Sequence, residues 1–292
     1  MRLRLLTIAI MVTLVFPTLL SAQEEAGSTP LQPAYQAPPI YLGPIAGYNR
    51  SMHTVNMPSF AKDALCPQFS GGDQNGYYFG FSYEHMLGQP EMSNQSIIVR
   101  VFYSSLPANF EEGGDRYPSE VWNDANGNGI VDAGEKQLME SAVVHTNDIQ
   151  YDLVSAEVAY KLNPFDRFNL GFTIGPTFDY AMTATQNQEL NLIEPLNARF
   201  VRGDNEEGYT YTNNDRTIII KDGDVPEYST YRIGIRAGVQ YEINITPGLF
   251  LVPAMYYNFG ITNLQPDFDW RVNTLQMGVD LRYALRWDNL FD

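Results

Sequence analysis

The sequence has almost no cysteine and, beyond its first residues, no long apolar run. Its 292 residues include a single cysteine, Cys66, which excludes an internal disulfide. After residue 22 no stretch approaches the ~20 apolar residues that a membrane-spanning helix needs, and no helical repeat is present. The chain therefore has the composition neither of a disulfide-stabilised secreted domain nor of a helical membrane protein.

Positive charge is also scarce. The chain has 18 Lys and Arg against 34 Asp and Glu, for a formal net charge of −16. A polyanion such as DNA or RNA is repelled by this balance, so nucleic acid is excluded as a partner.

The first 22 residues have the layout of a secretory signal peptide. Arg2 and Arg4 precede a mainly apolar run over residues 5–20, and the small residues Ser21 and Ala22 precede a predicted cleavage after Ala22. The run is shorter than a spanning helix, which favours cleavage over the alternative, an uncleaved anchor. Losing Arg2 and Arg4 lowers the net charge from −16 to −18. Residues 23–38, rich in proline, are predicted to form a periplasmic linker.

From residue 39 onward, apolar and polar residues alternate with a period of two, which is the repeat of a β-strand. The clearest example is Leu275–Trp287, which is apolar at every odd position and polar or small at every even position. The predicted strands are 40–51, 77–86, 96–105, 149–162, 168–180, 231–243, 249–260 and 275–287. An exported chain with this pattern is a membrane barrel, a periplasmic protein or a secreted protein.

The lengths of the connections favour the membrane barrel. Long connections (52–75, 106–147, 184–229, 261–273) alternate with short ones (87–94, 163–167, 244–248), as outside loops alternate with periplasmic turns. Aromatic residues such as Tyr48, Tyr180 and Trp287 end the strands, as interfacial girdles require. The predicted fold class is all-β. It is an eight-stranded antiparallel up-and-down transmembrane β-barrel over residues 39–287, with long extracellular loops. We place it in the lipid of a bacterial outer membrane, with both termini periplasmic and residues 288–292 as a tail.

Two details fit this pattern less well. Pro44, Pro176 and Pro253 fall inside strands, where each removes a ladder hydrogen bond, so we expect local bulges or distortions there. In the fourth strand, Ile149–Leu153 has the opposite phase to Val154–Leu162. Either a bulge or a change of environment above the membrane would explain that reversal.

The polar faces of the strands carry charges of both signs. The acids are Glu84, Glu157, Asp179, Glu242 and Asp280, and the bases are Arg100, Lys161, Arg232, Arg236, Arg282 and Arg286. An eight-stranded barrel is just wide enough for side chains to fill it, and an unpaired buried charge is costly. We therefore predict a plugged lumen in preference to an ion pore, with the net negative charge in the loops.

The connection 106–147 contains one motif with chemical content. Residues 124–135 read Asp-Ala-Asn-Gly-Asn-Gly-Ile-Val-Asp-Ala-Gly-Glu, which fits D-x-[DN]-x-[DN]-G-x5-E. The predicted calcium ligands are Asp124, Asn126, Asn128, the carbonyl of Ile130, Asp132 and the bidentate Glu135. The segment resembles the calcium loops of EF-hands and dockerins, without their flanking helices. We predict one structural Ca²⁺ loop; the alternative is an Asn/Gly-rich loop that binds no metal.

The connection 184–229 contains two β-rich runs on either side of Asn213–Asp215, which predicts a hairpin over Tyr209–Ile220. A hairpin here either extends the barrel wall above the membrane or contacts a surface partner.

Signals for catalysis are weak. His53, His85 and His145 lie near strand ends without a paired nucleophile, and no Gly-x-Ser-x-Gly motif is present. We therefore predict that the protein is not an enzyme, and the alternative of a lipid-modifying outer-membrane enzyme is disfavoured.

Three stretches resemble a known family. Leu42–Ser51 (LGPIAGYNRS), Cys66–Phe69 (CPQF) and the glycine-rich Gly71–Tyr77 resemble the PorT-type outer-membrane barrels of Bacteroidota, over about residues 39–287. The architecture also resembles OmpA and OmpX. Some PorT-like proteins take part in secretion.

We predict a structural or surface-interaction role, with the barrel-assembly machinery as a partner during biogenesis. A component of a secretion or transport assembly, with residues 23–38 docking a periplasmic partner, is the alternative.

Overall fold

The computed structural model describes residues 40–56, 69–88, 93–124, 127, 131–165, 168–202, 209–266 and 269–285. Within these ranges no helix is long and apolar enough to cross a membrane. The predicted signal peptide, the linker 23–38, Cys66, Arg286, Trp287 and the tail 288–292 lie outside the described residues.

The described chain consists of strands and one 3₁₀ turn, Ala133–Glu135. The strands are β1 (Ile40–Asn56), β2 (Gly71–Met86), β3 (Gln95–Ser105), β4 (Ala108–Trp122), β5 (Lys136–Leu162), β6 (Leu170–Glu194), β7 (Ala198–Phe200), β8 (Thr210–Thr212), β9 (Thr217–Asp224), β10 (Tyr231–Tyr241), β11 (Ile243–Thr246), β12 (Leu249–Gly260) and β13 (Asp269–Leu285).

Eight of these strands pair in a ring. The antiparallel order is β5–β3–β2–β1–β13–β12–β10–β6, and β6 pairs in turn with β5. The last strand closes against the first, from Ile40 opposite Leu285 to Asn56 opposite Asp269. Ring neighbours follow one another along the chain, apart from the inserted strands β4, β7, β8, β9 and β11. The predicted all-β, eight-stranded, antiparallel up-and-down barrel is confirmed.

The barrel wall is apolar outside and polar inside. On β13, the outward Met277 is 53% exposed and Val279 is 40% exposed, whereas the inward Asp280 and Arg282 are 1% and 2% exposed. Water would favour the reverse arrangement, so this wall faces lipid. The outward tyrosines Tyr48, Tyr77, Tyr180 and Tyr231, which we call the outer girdle, mark one border of that apolar band.

Inward-facing glycines make room for large side chains in the lumen. A Cβ at Gly278 would lie 2.2 Å from the hydroxyl of Tyr78 and 2.4 Å from the carbonyl oxygen of Ala46. A Cβ at Gly238 would lie 2.2 Å from the ring of Tyr256. These aromatic rings fit inside the barrel because glycine stands opposite them.

The strand prolines interrupt ladders without shifting them. The pairing of β1 with β13 skips residues 43 and 44 and keeps one register on either side. The pairing of β5 with β6 does the same across residues 175 and 176. Beside Pro253, β10 ends, and β11 resumes the same register against β12. Of the expected bulges or distortions, the structure shows distortions: each proline interrupts the ladder locally and leaves the register intact.

The phase reversal in the fourth barrel strand has a simple origin. Ile149, Leu153, Glu157 and Lys161 are all buried on one unbroken face of β5. The face changes from charged to apolar because the strand leaves the lumen and enters an apolar layer at its mouth. A change of environment is therefore the correct explanation, and the nearby register shift, at Asp152 and Leu153, skips a residue of β6 instead.

Beyond the outer girdle the sheet continues as a crown, which we define as β4, β7, β8, β9, residues 136–149 of β5 and residues 185–194 of β6. β4 pairs with β5 and β7, and β9 pairs with β6 and β8. β8 and β9 form a hairpin whose turn places Asn213, Asn214 and Asp215 at positive φ. The segments 106–147 and 184–229 are thus largely strand.

Candidate functional site

The lumen holds a continuous network of eight charged side chains, four of each sign. The acids are Glu84, Glu157, Glu242 and Asp280, and the bases are Arg100, Lys161, Arg236 and Arg282. In its upper part, Glu157 Oε2 accepts hydrogen bonds from Arg100 Nη1 at 3.0 Å and Arg236 Nη1 at 2.7 Å.

The lower part of the network reaches toward the short turns. Lys161 Nζ lies 2.7 Å from Glu84 Oε1 and also contacts Glu242. Arg282 contacts Glu84 and donates to Asp280 at 2.8 Å.

A separate pair, Arg232 with Asp179 at 2.7 Å, lies nearer the crown. Every predicted lumen charge within the described residues is therefore paired.

Two lumen tyrosines belong to this network although the sequence analysis assigned them no role. Tyr256 accepts a hydrogen bond from Arg100 Nη2 at 2.9 Å, and the Arg236 guanidinium lies 3.8 Å from its ring centre. The same guanidinium lies 5.8 Å from the ring of Tyr78. An inward-facing aromatic residue opposite an inward-facing glycine on the next strand is the pattern that could have identified them. Tyr256 lies opposite Gly238 in this way.

An apolar layer covers the lumen at its crown end. We call it the mouth layer and define it as Leu106, Ala108, Phe110, Tyr151, Leu153 and Trp270, each at most 1% exposed. Phe110 and Trp270 meet edge to face, with ring centres 6.0 Å apart. These residues come from β4, β5, β13 and the connection after β3, so the layer forms only when the barrel closes.

His53 is packed against the mouth layer, five residues beyond Tyr48 of the outer girdle. Trp270 Nε1 donates to His53 Nδ1 at 3.1 Å, which leaves Nε2 to donate to the carbonyl of Leu106 at 3.2 Å. Burial lowers the pKa of His53 to about 3, with Arg232 adding to the effect. The imidazole is therefore neutral and uses both nitrogens.

The crown has an apolar core of its own. Its buried members are Val121, Val143, Leu190, Leu192, Ala198, Phe200 and Ile218. Arg216 holds the connection between β6 and β7 over this core, because its guanidinium donates to the carbonyls of Leu192 at 2.7 Å and of Pro195 and Ala198 at 3.0 Å. The crown is therefore a packed structure rather than a set of loops.

The ends of the predicted calcium loop are joined at the tip of the crown. The backbone N–H of Asn123 donates to the carbonyl of Glu135 at 3.1 Å. The ring of Trp122 lies 3.7 Å from the Arg199 guanidinium and 4.3 Å from Lys136 Nζ. Cation–π contacts of this kind tie the loop base to β5 and β7.

Only part of the predicted ligand set can be placed. Asp124, Asp132 and Glu135 are described, whereas Asn126, Asn128 and Ile130 lie outside the described residues. The Glu135 carboxylate accepts the Asp132 backbone N–H at 3.0 Å, in a capping box that starts the 3₁₀ turn. Within the described ranges, no three His, Cys, Asp or Glu side chains are arranged to hold a metal. The calcium site stays a prediction.

No protein-family model matches the chain, and no curated protein matches it in sequence, so the PorT resemblance also stays a prediction. Several solved structures are similar. Neisserial surface protein A is 10% identical, with 84% of this chain and 97% of that chain covered and a TM-score of 0.33. Ail, the attachment invasion locus protein of Yersinia pestis, is 12% identical, with 83% and 98% covered and a TM-score of 0.30. The outer membrane protease OmpT from Escherichia coli is 11% identical, with 88% and 100% covered and a TM-score of 0.30.

These neighbours are bacterial outer-membrane barrels, and the apolar outer wall of this chain is consistent with the same location. At such low identity the likeness concerns the fold alone. The barrel class rests on the strand pairing and on the wall that faces lipid.

One neighbour corrects a prediction. We expected that the protein is not an enzyme, and that exclusion is wrong because an outer-membrane protein of similar fold, OmpT, is a protease. The likeness assigns no activity to this chain.

Proposed function

We propose that this protein is an outer-membrane barrel that holds a packed crown at the cell surface, in a structural or surface-interaction role. The observation that carries the proposal is the length of β5. Val154 pairs with Tyr180 of the outer girdle, and 18 of the 27 residues of β5, 136–153, lie on the crown side of that pair. At ~3.3 Å per residue this is about 60 Å of strand beyond the membrane. This architecture therefore displays the crown at the cell surface.

The proposal includes a closed lumen. The balanced ion network and the mouth layer support it, because both fill space that a pore would need. We expect the wild-type protein to give no ionic current in a planar lipid bilayer. Steady, discrete current steps from purified protein would contradict this part of the proposal.

We also propose the orientation, with the crown outside and both termini periplasmic. The turn between β11 and β12 lies at the end opposite the crown, and so do the ends of β2, β3, β5 and β6 that the other short connections join. An epitope inserted between Asn213 and Asn214, at the tip of the β8–β9 hairpin, should bind antibody on intact cells. An epitope placed at the C-terminus should bind only after the outer membrane is permeabilised. The reverse result would invert the orientation.

We further propose that residues 124–135 bind Ca²⁺ and thereby order the tip of the crown. The joined loop ends and the Asp132–Glu135 capping box support this. Extracellular loops of this kind bind with Kd of roughly 10⁻⁴ to 10⁻³ M. In calorimetry, Glu135→Gln should abolish the heat of Ca²⁺ binding, while Glu140→Gln, a crown acid outside the loop, should preserve it. Equal heats from wild type and Glu135→Gln would rule the site out.

A further inference from the structure

We infer that the mouth layer is the barrier that closes this barrel, and that water enters among the charged side chains beneath it from the end that carries the short turns. This inference rests on the closed lumen of the proposed function and names the place of closure. The lumen contains a charged layer and an apolar layer. The charged layer holds water, whereas the apolar layer excludes it.

The charged layer contains buried polar atoms that have no hydrogen-bond partner in the protein. They are Tyr78 Oη, Arg100 Nε, Glu157 Oε1, Arg236 Nη2, Gln240 Nε2 and Gln276 Oε1. Buried polar groups are rarely left without a partner, and ordered water supplies the partner where side chains do not. A cluster of such atoms in one lumen therefore indicates internal water among the charges.

The charged layer is also continuous with solvent at its lower end. An open cavity of about 60 Å³ lies there and is lined by Glu84, Lys161, Glu242 and Arg282 together with uncharged side chains. Side-chain exposure falls from 21% at Glu242 to 6% at Lys161, 3% at Glu84 and 0% at Glu157. The network thus extends inward from an open vestibule.

The mouth layer has the opposite character. Its side chains are apolar apart from the Tyr151 hydroxyl and the Trp270 N–H, and the latter is bonded to His53. Aromatic rings interlock across it, with Phe69 and Phe110 5.7 Å apart and Phe110 and Trp270 6.0 Å apart. An apolar constriction stops ions because it sheds water. We therefore expect this layer, and not the charged network, to be what keeps water and ions from crossing the barrel.

The first test measures water access by cysteine chemistry. In a Cys66→Ser background, Ser155→Cys places a thiol on β5 between the ion network and the mouth layer, and Ala108→Cys places one inside the mouth layer. Both original side chains are small and buried. In lipid nanodiscs, 2-aminoethyl methanethiosulfonate should modify Ser155→Cys and leave Ala108→Cys unmodified. Equal protection of the two thiols would mean a dry lumen and would overturn the inference.

The second test removes the barrier. The double variant Phe110→Ala, Trp270→Ala should give discrete current steps in a planar bilayer. Tyr256→Ala, which removes a ring of similar size from the charged layer, should give no current. Heat-modifiable gel mobility shows that each variant is folded.

The outcomes separate the two proposals. Current through the wild type would refute the closed lumen. A double variant that is folded but gives no current would refute only the mouth layer as the barrier. Current through Tyr256→Ala would do the same.

Discussion

Strands β5 and β6 run through both the barrel wall and the crown, yet the lumen and the crown are held together by opposite chemistry. Inside the lumen, β5 contributes Glu157 and Lys161 to ion pairs; in the crown it contributes Val143 to an apolar core. The difference follows from the surroundings. Where lipid lies outside, apolar side chains point outward and polar ones are left for the interior. Where water lies outside, apolar side chains point into a core and polar side chains face the water. Strand β5 follows the first rule in the lumen and the second in the crown, and the mouth layer lies between these two regions.

The largest expected effect removes the space on which the lumen depends. Gly278→Ala places a Cβ 2.4 Å from the Ala46 carbonyl and 2.2 Å from the Tyr78 hydroxyl, and the backbone contact cannot relax. We expect no folded barrel, seen as loss of the heat-modifiable band shift. Gly134→Ala, in the 3₁₀ turn Ala133–Glu135 with nothing within 4 Å, is the matched control and should fold normally. A folded Gly278→Ala protein would show that the inward glycines are dispensable.

The next effect breaks a buried ion pair. Glu157→Gln leaves Arg100 and Arg236 facing a neutral partner in a site of 0% exposure. Removing one partner of a buried pair typically costs about 3–5 kcal/mol of unfolding free energy. Urea unfolding in detergent measures this. The exposed pair Arg50–Asp73 provides the control, because Asp73→Asn should cost only ~0–1 kcal/mol. Similar losses for both variants would mean that the lumen charges are not effectively buried.

A smaller effect should be confined to the crown. Arg216→Ala removes the hydrogen bonds to the carbonyls of Leu192, Pro195 and Ala198. Bonds to a charged group are worth about 1.5–3 kcal/mol each, and water replaces part of that. We expect faster proteolysis within the crown, while the barrel keeps its heat-modifiable mobility. Arg202→Ala, which removes an exposed pair with Asp215, should leave the cleavage rate unchanged. Loss of the barrel shift in Arg216→Ala would mean that the two regions fold as one unit.

The effect that is smallest near neutral pH concerns His53, because it develops only as the pH falls. Its pKa falls from 6.5 in the unfolded chain to about 3 in the folded protein, so the unfolded state binds the extra proton between those values. The stability that His53 contributes is complete above pH 6.5 and is lost as the pH falls toward 3, by at most about 1.4 kcal/mol per pH unit. Unfolding free energies of His53→Gln should show a shallower decline over this range than wild type. Parallel curves would show that His53 does not carry this pH dependence.

Much of the barrel could be predicted because lipid imposes a strict rule. Alternation such as that of Met277, Val279 and Leu281 against Asp280 and Arg282 survives every local exception. The prolines did not break it, since an interrupted ladder keeps its register. The lumen pairs were predictable as a set, because buried charges must balance, but no sequence rule says that Arg236 chooses Glu157 rather than Asp179.

The crown was harder to foresee. In β4, the run of Glu111, Glu112, Gly113 and Gly114 has no alternation, and the sheet nevertheless continues through it, with a register shift between Gly113 and Arg116. Its strands are held by partners far away in the chain, as β7 is by β4. Water on the outer face permits charged residues in any order, so the pattern that reveals membrane strands is missing.

By itself the sequence determined an acidic, eight-stranded barrel with a charged interior, because a period of two with apolar residues outward has few other physical solutions. The calcium loop at residues 124–135 stays a prediction from the sequence. Only the tertiary structure decided that the long connections form a packed crown and that an apolar mouth layer lies between crown and lumen. Leu106 and Phe110, Leu153, and Trp270 come from three separate parts of the chain, and only closure of the barrel brings them together.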